Sequence, residues 1–461
     1  LSVLFLGTLY YALTKKPNSK KWLILNSILF SLVGLSHIYT IFITSISTLP
    51  LLLRNFKKRF IYFAIMYPLS FLIMSKWMIP FLLGIPYTTT YNIKWNFNSL
   101  SEIYPLILLP FFILGIVGIA YLIFIYTQKN QNPKTKLKII YFLSPLILSI
   151  VFFFIANKIG LVDIRFLIMI YLWMTILSSI AIYHLIKLLN NITSTKGYIK
   201  SIMSFSFKYL PILLFLLMTI FIKLNVSYIP HWIDWNYSGF EEKKQYPLYQ
   251  EITESLKGTI QDPRVIYEHS PKHNNFGTER AFESLPLFSG RNTLEGVYMQ
   301  SSLSSPFIFY LQSEISEKRS CPFWNNYPCT KVDLEKAAKH LELFNVKHII
   351  TISPKVKKEF SEDEKFKLFK KLEQYEIYEF LDNKNKYVVP LENEPILLEN
   401  INFKDWKKIS YEWFTISDLE THLIYSKKPN KEDFKLIKKL DNFNINSTEK
   451  IKIQDCKVEE N

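Results

Sequence analysis

Asp163 and Arg165 lie in the segment GLVDIRF, where a long apolar run begins. An ionisable residue in such a place either sets membrane topology or belongs to a functional site. Arginine is suited to a lipid phosphate because its planar guanidinium group makes two parallel hydrogen bonds. We therefore predict that Arg165 binds a lipid phosphate. The alternative is a purely structural pair between Asp163 and Arg165.

Glu102 opens another apolar run, directly after the aromatic loop YTTTYNIKWNF. Tyr87, Tyr91 and Trp95 in that loop have rings that can stack on a sugar, although aromatic belts are also common at membrane interfaces. Sugar transfer with inversion needs a carboxylate base, and Glu102 and Asp163 are the acidic candidates. The spacing gives that role to neither residue, so the catalytic residues stay unassigned.

His37 lies inside KKWLILNSILFSLVGLSHIYTIFITSISTLPLLLRNFKKRF, an apolar run with a basic cluster at each end. Because basic residues accumulate on the cytoplasmic side of a membrane, this pattern predicts a short two-helix hairpin over residues 22–53 with His37 at its turn. We predict that His37 binds the same lipid phosphate as Arg165, since an anion favours a protonated histidine. The alternative is a histidine that only packs the turn.

The charge of the chain is divided unevenly along its length. The 461 residues are 49% hydrophobic and carry a net charge of +16. Residues 1–230 hold 21 lysines and arginines but only two acidic residues, whereas the rest holds 34 basic and 37 acidic residues. Since the excess lies in loops between apolar runs, membrane topology explains it better than nucleic-acid binding.

The apolar runs predict an α-helical polytopic bundle over residues 1–229. We expect about eight segments, near residues 1–13, 22–35, 38–53, 60–84, 104–127, 138–157, 165–187 and 208–228. With the hairpin, all basic clusters fall on one side, and the chain after Tyr228 lies outside the cytoplasm at the cell membrane. The chain opens with Leu1 in an apolar run, and we expect that the N-terminal part of the bundle is missing.

The second half predicts an extracytoplasmic α/β domain over residues 230–399 and a β-rich appendix with a polar tail over residues 400–461. The expected strands are 264–270, 346–353, 375–382 and 386–391, and the expected helices are 332–344 and 361–375. In the appendix, FKDWKKISYEWFTI and THLIYSKKP suggest further β structure.

Cysteine and histidine spacing bears on cofactors. Cys321 and Cys329 flank PFWNNYP and form either a disulfide or two free thiols. Without a nearby histidine or third cysteine they do not complete a tetrahedral metal site. His269 and His273 stand in poor helical context for a shared metal, so we expect no metal centre from these residues.

The stretch from Phe276 to Pro322 is rich in Gly, Ser, Thr and Pro and contains Glu283 and Arg291. Loops of this kind often carry function, and the two charges either contact a ligand or fix the path of the loop. RAFESLPLFSGRNTLEGVYMQSS with LQSEIS resembles prokaryotic multi-pass membrane proteins catalogued as 6-pyruvoyl-tetrahydropterin synthase-related. The soluble synthases of that name hold zinc through a His-x-His pair and a third histidine; this sequence has no such pair, so we expect neither zinc nor pterin.

The predicted architecture is also similar to the GT-C class of glycosyltransferases. That resemblance implies transfer of a sugar from a polyprenyl-phosphate carrier, with a divalent metal where one is needed, to a glycan or protein acceptor. In that class the acidic residue lies in the first outer loop, which we expect to precede this chain. The alternative is a non-catalytic envelope protein whose outer domain binds glycan or a protein partner. A transporter is disfavoured, because Lys76 is nearly alone as an ionisable residue within the spans.

Overall fold

The computed structural model describes residues 1–89, 94–192, 209, 212–213, 215–224, 226–295, 302–318, 321–324, 326–399, 405–416, 418–425, 434–439 and 450–453. The chain forms two compact units. The helical unit comprises Leu1–Ile85 and Asn92–Val226, and the C-terminal unit comprises Pro86–Tyr91 and Ser227–Asn461. A short piece from the first half of the sequence therefore belongs to the C-terminal unit.

The labelled helices of the helical unit are α1 Ser2–Lys15, α2 Lys20–Ser36, α3 Ile38–Ser47, α4 Phe56–Gly84, α5 Leu100–Ile103, α6 Leu109–Thr127, α7 Pro133–Ile155 and α8 Leu167–Ile192. Four segments are long and apolar enough to cross a membrane: Phe56–Tyr87, Leu106–Thr127, Pro133–Ile159 and Asp163–Leu188. They are consistent with a membrane protein and correspond to the segments expected near 60–84, 104–127, 138–157 and 165–187. Ile38–Leu53 and Phe215–Leu224 are shorter apolar helices.

The apolar run around His37 consists of two helices. The chain turns at His37, whose backbone is extended (φ −164°, ψ 117°) between α2 and α3. Gly34 lies one turn earlier, and a Cβ there would come within 2.6 Å of the Ile41 side chain in α3. The missing side chain thus lets α3 pack closely beside the end of α2.

The helices α6 and α8 approach each other at two glycines. A Cβ on Gly115 would lie 2.6 Å from Cε of Met174 and 3.0 Å from its carbonyl oxygen. A Cβ on Gly118 would collide with the carbonyl oxygen of Leu177, which belongs to the backbone of α8. Small residues spaced in this way let two helix backbones come close together, where van der Waals packing holds them.

The C-terminal unit contains helices α9 Tyr228–Tyr237, α10 Tyr246–Ser255, α11 Leu285–Phe288, α12 Ser305–Glu314, α13 Leu334–Leu343, α14 Pro354–Glu362 and α15 Trp406–Ile416. Its main sheet has strands β1 Arg264–Tyr267, β2 Val346–Thr351, β3 Phe366–Leu372 and β4 Tyr375–Phe380 in the order β1-β2-β4-β3. β1 and β2 are parallel, whereas β2 with β4 and β3 with β4 are antiparallel.

Both faces of this sheet are covered. On one face Val265 and Tyr267 pack with Tyr249, Phe276 and Phe282. On the other face Ile266 and its neighbours in β2 pack with apolar residues of α12, α13, α14 and α15. In β2, Ile349 packs on one face and its neighbour Ile350 on the other, which fits a strand that is buried on both faces. The predicted apolar helical region followed by a mixed α/β domain is thus confirmed.

A second sheet has strands β5 Ile396–Glu399, β6 Leu423–Tyr425 and β7 Leu436–Lys439 in the order β6-β5-β7, and both pairings are parallel. The prediction that FKDWKKISYEWFTI is β-structured is wrong, because α15 begins at Trp406. Its buried residues Lys407, Tyr411 and Phe414 repeat with helical spacing, which is a signal the sequence does carry.

Two other predicted elements are also wrong. The expected helix 361–375 is strand β3, because the helix of this region starts earlier, at Pro354, and ends at Glu362. Phe366, Phe369 and Leu372 have helix-like spacing, but a bulge in β3 shifts the register between Leu368 and Lys370. The expected strand 386–391 is irregular chain within the described residues.

Lys407 holds the early segment of the C-terminal unit in place. Its ammonium group is buried and donates to the carbonyl oxygens of Tyr87 (3.0 Å) and Thr88 (3.1 Å) and to the hydroxyl of Thr89 (3.2 Å). Burial lowers the pKa of Lys407. Three neutral acceptors therefore replace the water that this ammonium group has lost.

Candidate functional site

His37 is fixed by the first turn of α3. Its Nδ1 accepts the backbone N–H of Thr40 (3.3 Å) and lies 3.0 Å from the Thr40 hydroxyl. With Nδ1 accepting, the ring hydrogen is on Nε2, which is available as a donor. His37 lies between α2 and α3, outside the four candidate spans. There, burial and the positive charge of Arg165 lower the pKa of His37. The two predicted phosphate ligands are therefore electrostatic neighbours.

A small pocket of about 90 Å³ lies where α3 meets the start of α8. Arg165 lines it together with Thr40, the residue that holds His37, and with the aromatic ring of Tyr39. The Tyr39 hydroxyl accepts the N–H of Val162 (3.2 Å), which ties the loop before Arg165 to α3. The pocket suits a single anionic headgroup better than a whole sugar. Sequence reasoning did not find Tyr39 and Thr40, which follow His37 directly.

Asp163 is bound to backbone rather than to Arg165. One carboxylate oxygen accepts the N–H of Trp95 (2.9 Å) and the other accepts the N–H of Ile164 (2.7 Å). Within the described ranges no ion pair shorter than 4 Å joins Asp163 to Arg165. The buried carboxylate of Asp163 therefore pins the chain near Trp95 and leaves the guanidinium of Arg165 for another partner.

Glu102 is an exposed residue whose carboxylate accepts the N–H of Asn98 (3.3 Å) at the start of α5. This is the geometry of a helix cap. The three aromatic residues proposed for sugar stacking do not belong to one structural unit. Trp95 packs near Phe97, Tyr87 belongs to the C-terminal unit, and Tyr91 lies outside the described residues.

Arg291 fixes the loop that follows α11. Its Nε donates to the carbonyl oxygen of Pro263 (3.0 Å), and its Nη2 lies 3.3 Å from Nδ1 of His348. Burial and the charge of Arg291 lower the pKa of His348 to about 4, so this ring is neutral and its Nδ1 accepts the Arg291 hydrogen. Arg291 thus bonds the residue that precedes β1, whereas Glu283 belongs to a cluster near the end of β1.

That cluster joins Tyr267, Arg280, Glu283 and Glu295. Arg280 pairs with Glu283 and lies 4.0 Å from Glu295, and the hydroxyl of Tyr267 donates to Glu295. Burial raises the pKa of Glu295 to about 7, and a hydrogen bond to Glu283 also favours its protonated form. Burial raises the pKa of Glu283 as well, while Arg280 opposes this rise. Burial therefore disfavours the ionised form of both carboxyl groups.

Sequence reasoning proposed Glu283 but not its partners Tyr267 and Glu295. Tyr267 is the last residue of β1, which runs parallel to β2. Polar groups gather at the carboxyl ends of parallel strands, so the strand end was a usable signal. The positions of Arg280 and Glu295 depend on the folded path of the loop and carry no local pattern.

The cysteines and histidines of the C-terminal unit have structural contacts. Cys321 and Cys329 are joined by a disulfide, with an S–S distance of 2.04 Å. His273 is buried between the carbonyl oxygen of Glu268 (2.7 Å) and the hydroxyl of Tyr375 (3.0 Å). Burial lowers the pKa of His273 to about 4. The described residues contain no group of three or more His, Cys, Asp or Glu placed to hold a metal ion.

The four apolar helices are consistent with a membrane protein, and an α/β unit follows them in the chain. Residues 249–396, which contain the main sheet and the helices from within α10 to α14, match a family described as a domain of unknown function, DUF8559. The match covers less than half of the chain. No curated protein matches the sequence.

Proposed function

We propose that this protein binds the phosphate of a polyprenyl carrier at the turn between α2 and α3 and acts as a GT-C-like glycosyltransferase on the carried sugar. The observation that carries the proposal is that Arg165 lines the small pocket beside Thr40, whose backbone N–H binds His37, and that the charge of Arg165 acts on His37. Arg165 has no ion-pair partner among the described residues, and His37 presents an N–H donor. Two such donors are the groups that recognise a phosphate.

Arg165→Ala should weaken binding of farnesyl phosphate to the full-length protein roughly ten- to a hundredfold, because a charge-assisted contact contributes about 1.5–3 kcal/mol. His37→Ala should also weaken binding. The pKa of His37 is lowered in the free protein, and a bound anion favours the protonated ring. The affinity for the anion should therefore rise as pH falls, and His37→Ala should remove this pH dependence. Titrations at several pH values in lipid nanodiscs measure both effects.

Lys158→Ala is the matched control, because Lys158 is an exposed basic residue in the same interhelical connection. It should leave the affinity unchanged, and farnesol, which lacks the phosphate, should not bind this site. Equal affinity for wild type, His37→Ala and Arg165→Ala would disprove the lipid-phosphate site.

We also propose that the C-terminal unit lies outside the cytoplasm. Residues 87–89 follow the span of α4 and are bound to Lys407 in that unit, which favours the same side of the membrane for both. The basic residues within 54–59 and 129–138, together with Lys187, lie near the start of α4 and the ends of α6 and α8. These are the helix ends on the other side of the membrane from residues 87–89 if each helix spans it once. Because basic residues favour the cytoplasmic side, the C-terminal unit is then on the outer side.

A cysteine in place of Lys257 should be labelled by a membrane-impermeant maleimide in intact cells, whereas one in place of Asn132 should react only after the cells are permeabilised. Lys257 is exposed in the C-terminal unit, and Asn132 caps the start of α7 beside basic residues. The background carries Cys456→Ser to remove a competing thiol. Labelling of Asn132→Cys alone in intact cells would reverse the proposed topology.

The alternative function, a non-catalytic envelope protein, is favoured by the state of the acidic candidates. Both oxygens of Asp163 accept backbone N–H groups, and Glu102 accepts another. These hydrogen bonds give both carboxylates a structural use in fixing the path of the chain. Binding of farnesyl phosphate without sugar transfer would support this alternative.

A further inference from the structure

A cleft of about 470 Å³ lies in the C-terminal unit, away from the cluster around Glu295. It is formed by the start of β1, the end of α13, the irregular segment 384–392 and residues 418–422. Its volume is in the range of small-molecule sites. Both polar and apolar side chains line it, so the cleft suits a ligand that is itself both polar and apolar.

Tyr387 provides a fixed aromatic surface in this cleft. Its side chain is 44% exposed, and its hydroxyl donates to the carbonyl oxygen of Asp262 (2.7 Å). The guanidinium carbon of Arg264 lies 4.8 Å from the ring centroid, and Arg264 is itself anchored to the carbonyl oxygen of Phe344 (2.7 Å). The ring is thus held in orientation before any ligand arrives, which lowers the entropy cost of stacking.

Two polar groups at the cleft have no partner. Asn345 is only 4% exposed, and its Nδ2 has no hydrogen-bond partner, although its Oδ1 accepts from Asn383 (3.1 Å). Nδ1 of His422 is likewise buried and unpartnered. Burial lowers the pKa of His422, so the neutral ring offers one donor and one acceptor. Buried polar groups normally have partners, and these two line the cleft, which points to a hydrogen-bonding ligand.

The charges at the cleft balance. Four basic and four acidic side chains line it: Arg264, Lys339, Lys384 and Lys386, and Glu342, Glu392, Asp418 and Glu420. Glu342 pairs with Lys384 (2.6 Å), and both Asp418 (2.5 Å) and Glu420 (2.7 Å) pair with Lys450. A strongly charged ligand would have to break such pairs. A neutral one would not.

We propose that this cleft binds a neutral saccharide, with Tyr387 stacked under an apolar sugar face and with Asn345 and His422 bonding its hydroxyl groups. A saccharide combines C–H faces with many hydroxyl groups, which matches the mixed lining and the balanced charge. The inference does not depend on the lipid-phosphate site, since no residue of that site takes part.

Binding of maltotriose, cellotriose and chitotriose to the full-length protein tests the proposal. The protein is held in lipid nanodiscs, because sugar-headed detergents would compete. At least one trisaccharide should bind, and Tyr387→Ala should weaken it roughly tenfold through loss of the ring. Tyr387→Phe keeps the ring and should lose less. Val388→Ala is the matched control, because Val388 is 73% exposed and does not line the cleft.

The proposal is overturned if none of the three trisaccharides binds at millimolar concentration, or if Tyr387→Ala and Val388→Ala bind alike. Preference for sialyllactose or for a charged peptide over every neutral trisaccharide would overturn it as well. The farnesyl phosphate titration is read separately, so failure of one site leaves the other interpretable.

Discussion

Glu295→Gln should stabilise the C-terminal unit at pH 8 by up to about 3 kcal/mol relative to wild type. The pKa of Glu295 is raised to about 7 in the folded protein, chiefly by burial. Between the unfolded value of 4.5 and about 7, the folded chain keeps a proton that the unfolded chain has lost. Stability therefore falls as pH rises through this window and stays low above it. Glutamine keeps the shape and the hydrogen bond from Tyr267 without the charge.

Pulse proteolysis of the full-length protein in urea, at pH 4.5, 6 and 8, measures the unfolding midpoint of this unit. The wild type and Glu295→Gln should agree at pH 4.5 and separate progressively toward pH 8. Glu254→Gln is the control, because Glu254 is an exposed residue whose ion pair with Lys257 contributes little. A lower midpoint for Glu295→Gln at pH 8 would show that the ionised carboxylate of Glu295 stabilises the folded chain, which contradicts its raised pKa.

Gly118→Ala should destabilise the helical unit by about 1–3 kcal/mol, and Gly118→Val should do so more strongly. The added Cβ meets the backbone of α8 at Leu177, which moves only if the whole helix shifts. Gly115→Ala should cost less, because its nearest obstacle is the flexible end of Met174. The three variants should differ in stability because Gly118 faces backbone atoms, whereas Gly115 faces mainly the end of a flexible side chain.

Gly7→Ala is the matched control, since Gly7 lies within α1 and a Cβ there meets nothing within 4 Å. It should be neutral or slightly stabilising, because alanine is the better helix former. Thermal unfolding midpoints of the purified variants in one detergent compare all four substitutions. If Gly118→Ala and Gly7→Ala have the same unfolding midpoint, then the backbones of α6 and α8 are not in close contact.

The long spans and the central strand were accessible from the sequence because their signals are local. A long apolar run marks α6 and α7, and the β-branched apolar residues Val346, Ile349 and Ile350 mark β2 as a strand. The strand β3 was missed because Phe366, Phe369 and Leu372 imitate a helix face and only its pairing with β4 decides the matter. Local pattern fails where a long-range partner determines the conformation.

The candidate sites show the same division. His37 was found because a polar residue interrupts an apolar run, and the structure brings it near Arg165, far along the chain. The role of Asp163 was not readable, because its partner is the backbone N–H of Trp95, 68 residues away. The raised pKa values of Glu283 and Glu295 likewise depend on burial, which a loop sequence does not display.

The hydrogen bonds from Lys407 to residues 87–89 can form only late in synthesis of the described chain, after both partners have been made. Lys407 is made 320 residues after Tyr87, which at about 5–20 residues per second is a delay of roughly 15–60 s. During that interval the carbonyl groups of Tyr87 and Thr88 wait without this ammonium partner. The loop after α4 therefore reaches these contacts only after Lys407 has been synthesised, so a ribosome that stalls before Lys407 leaves them unformed.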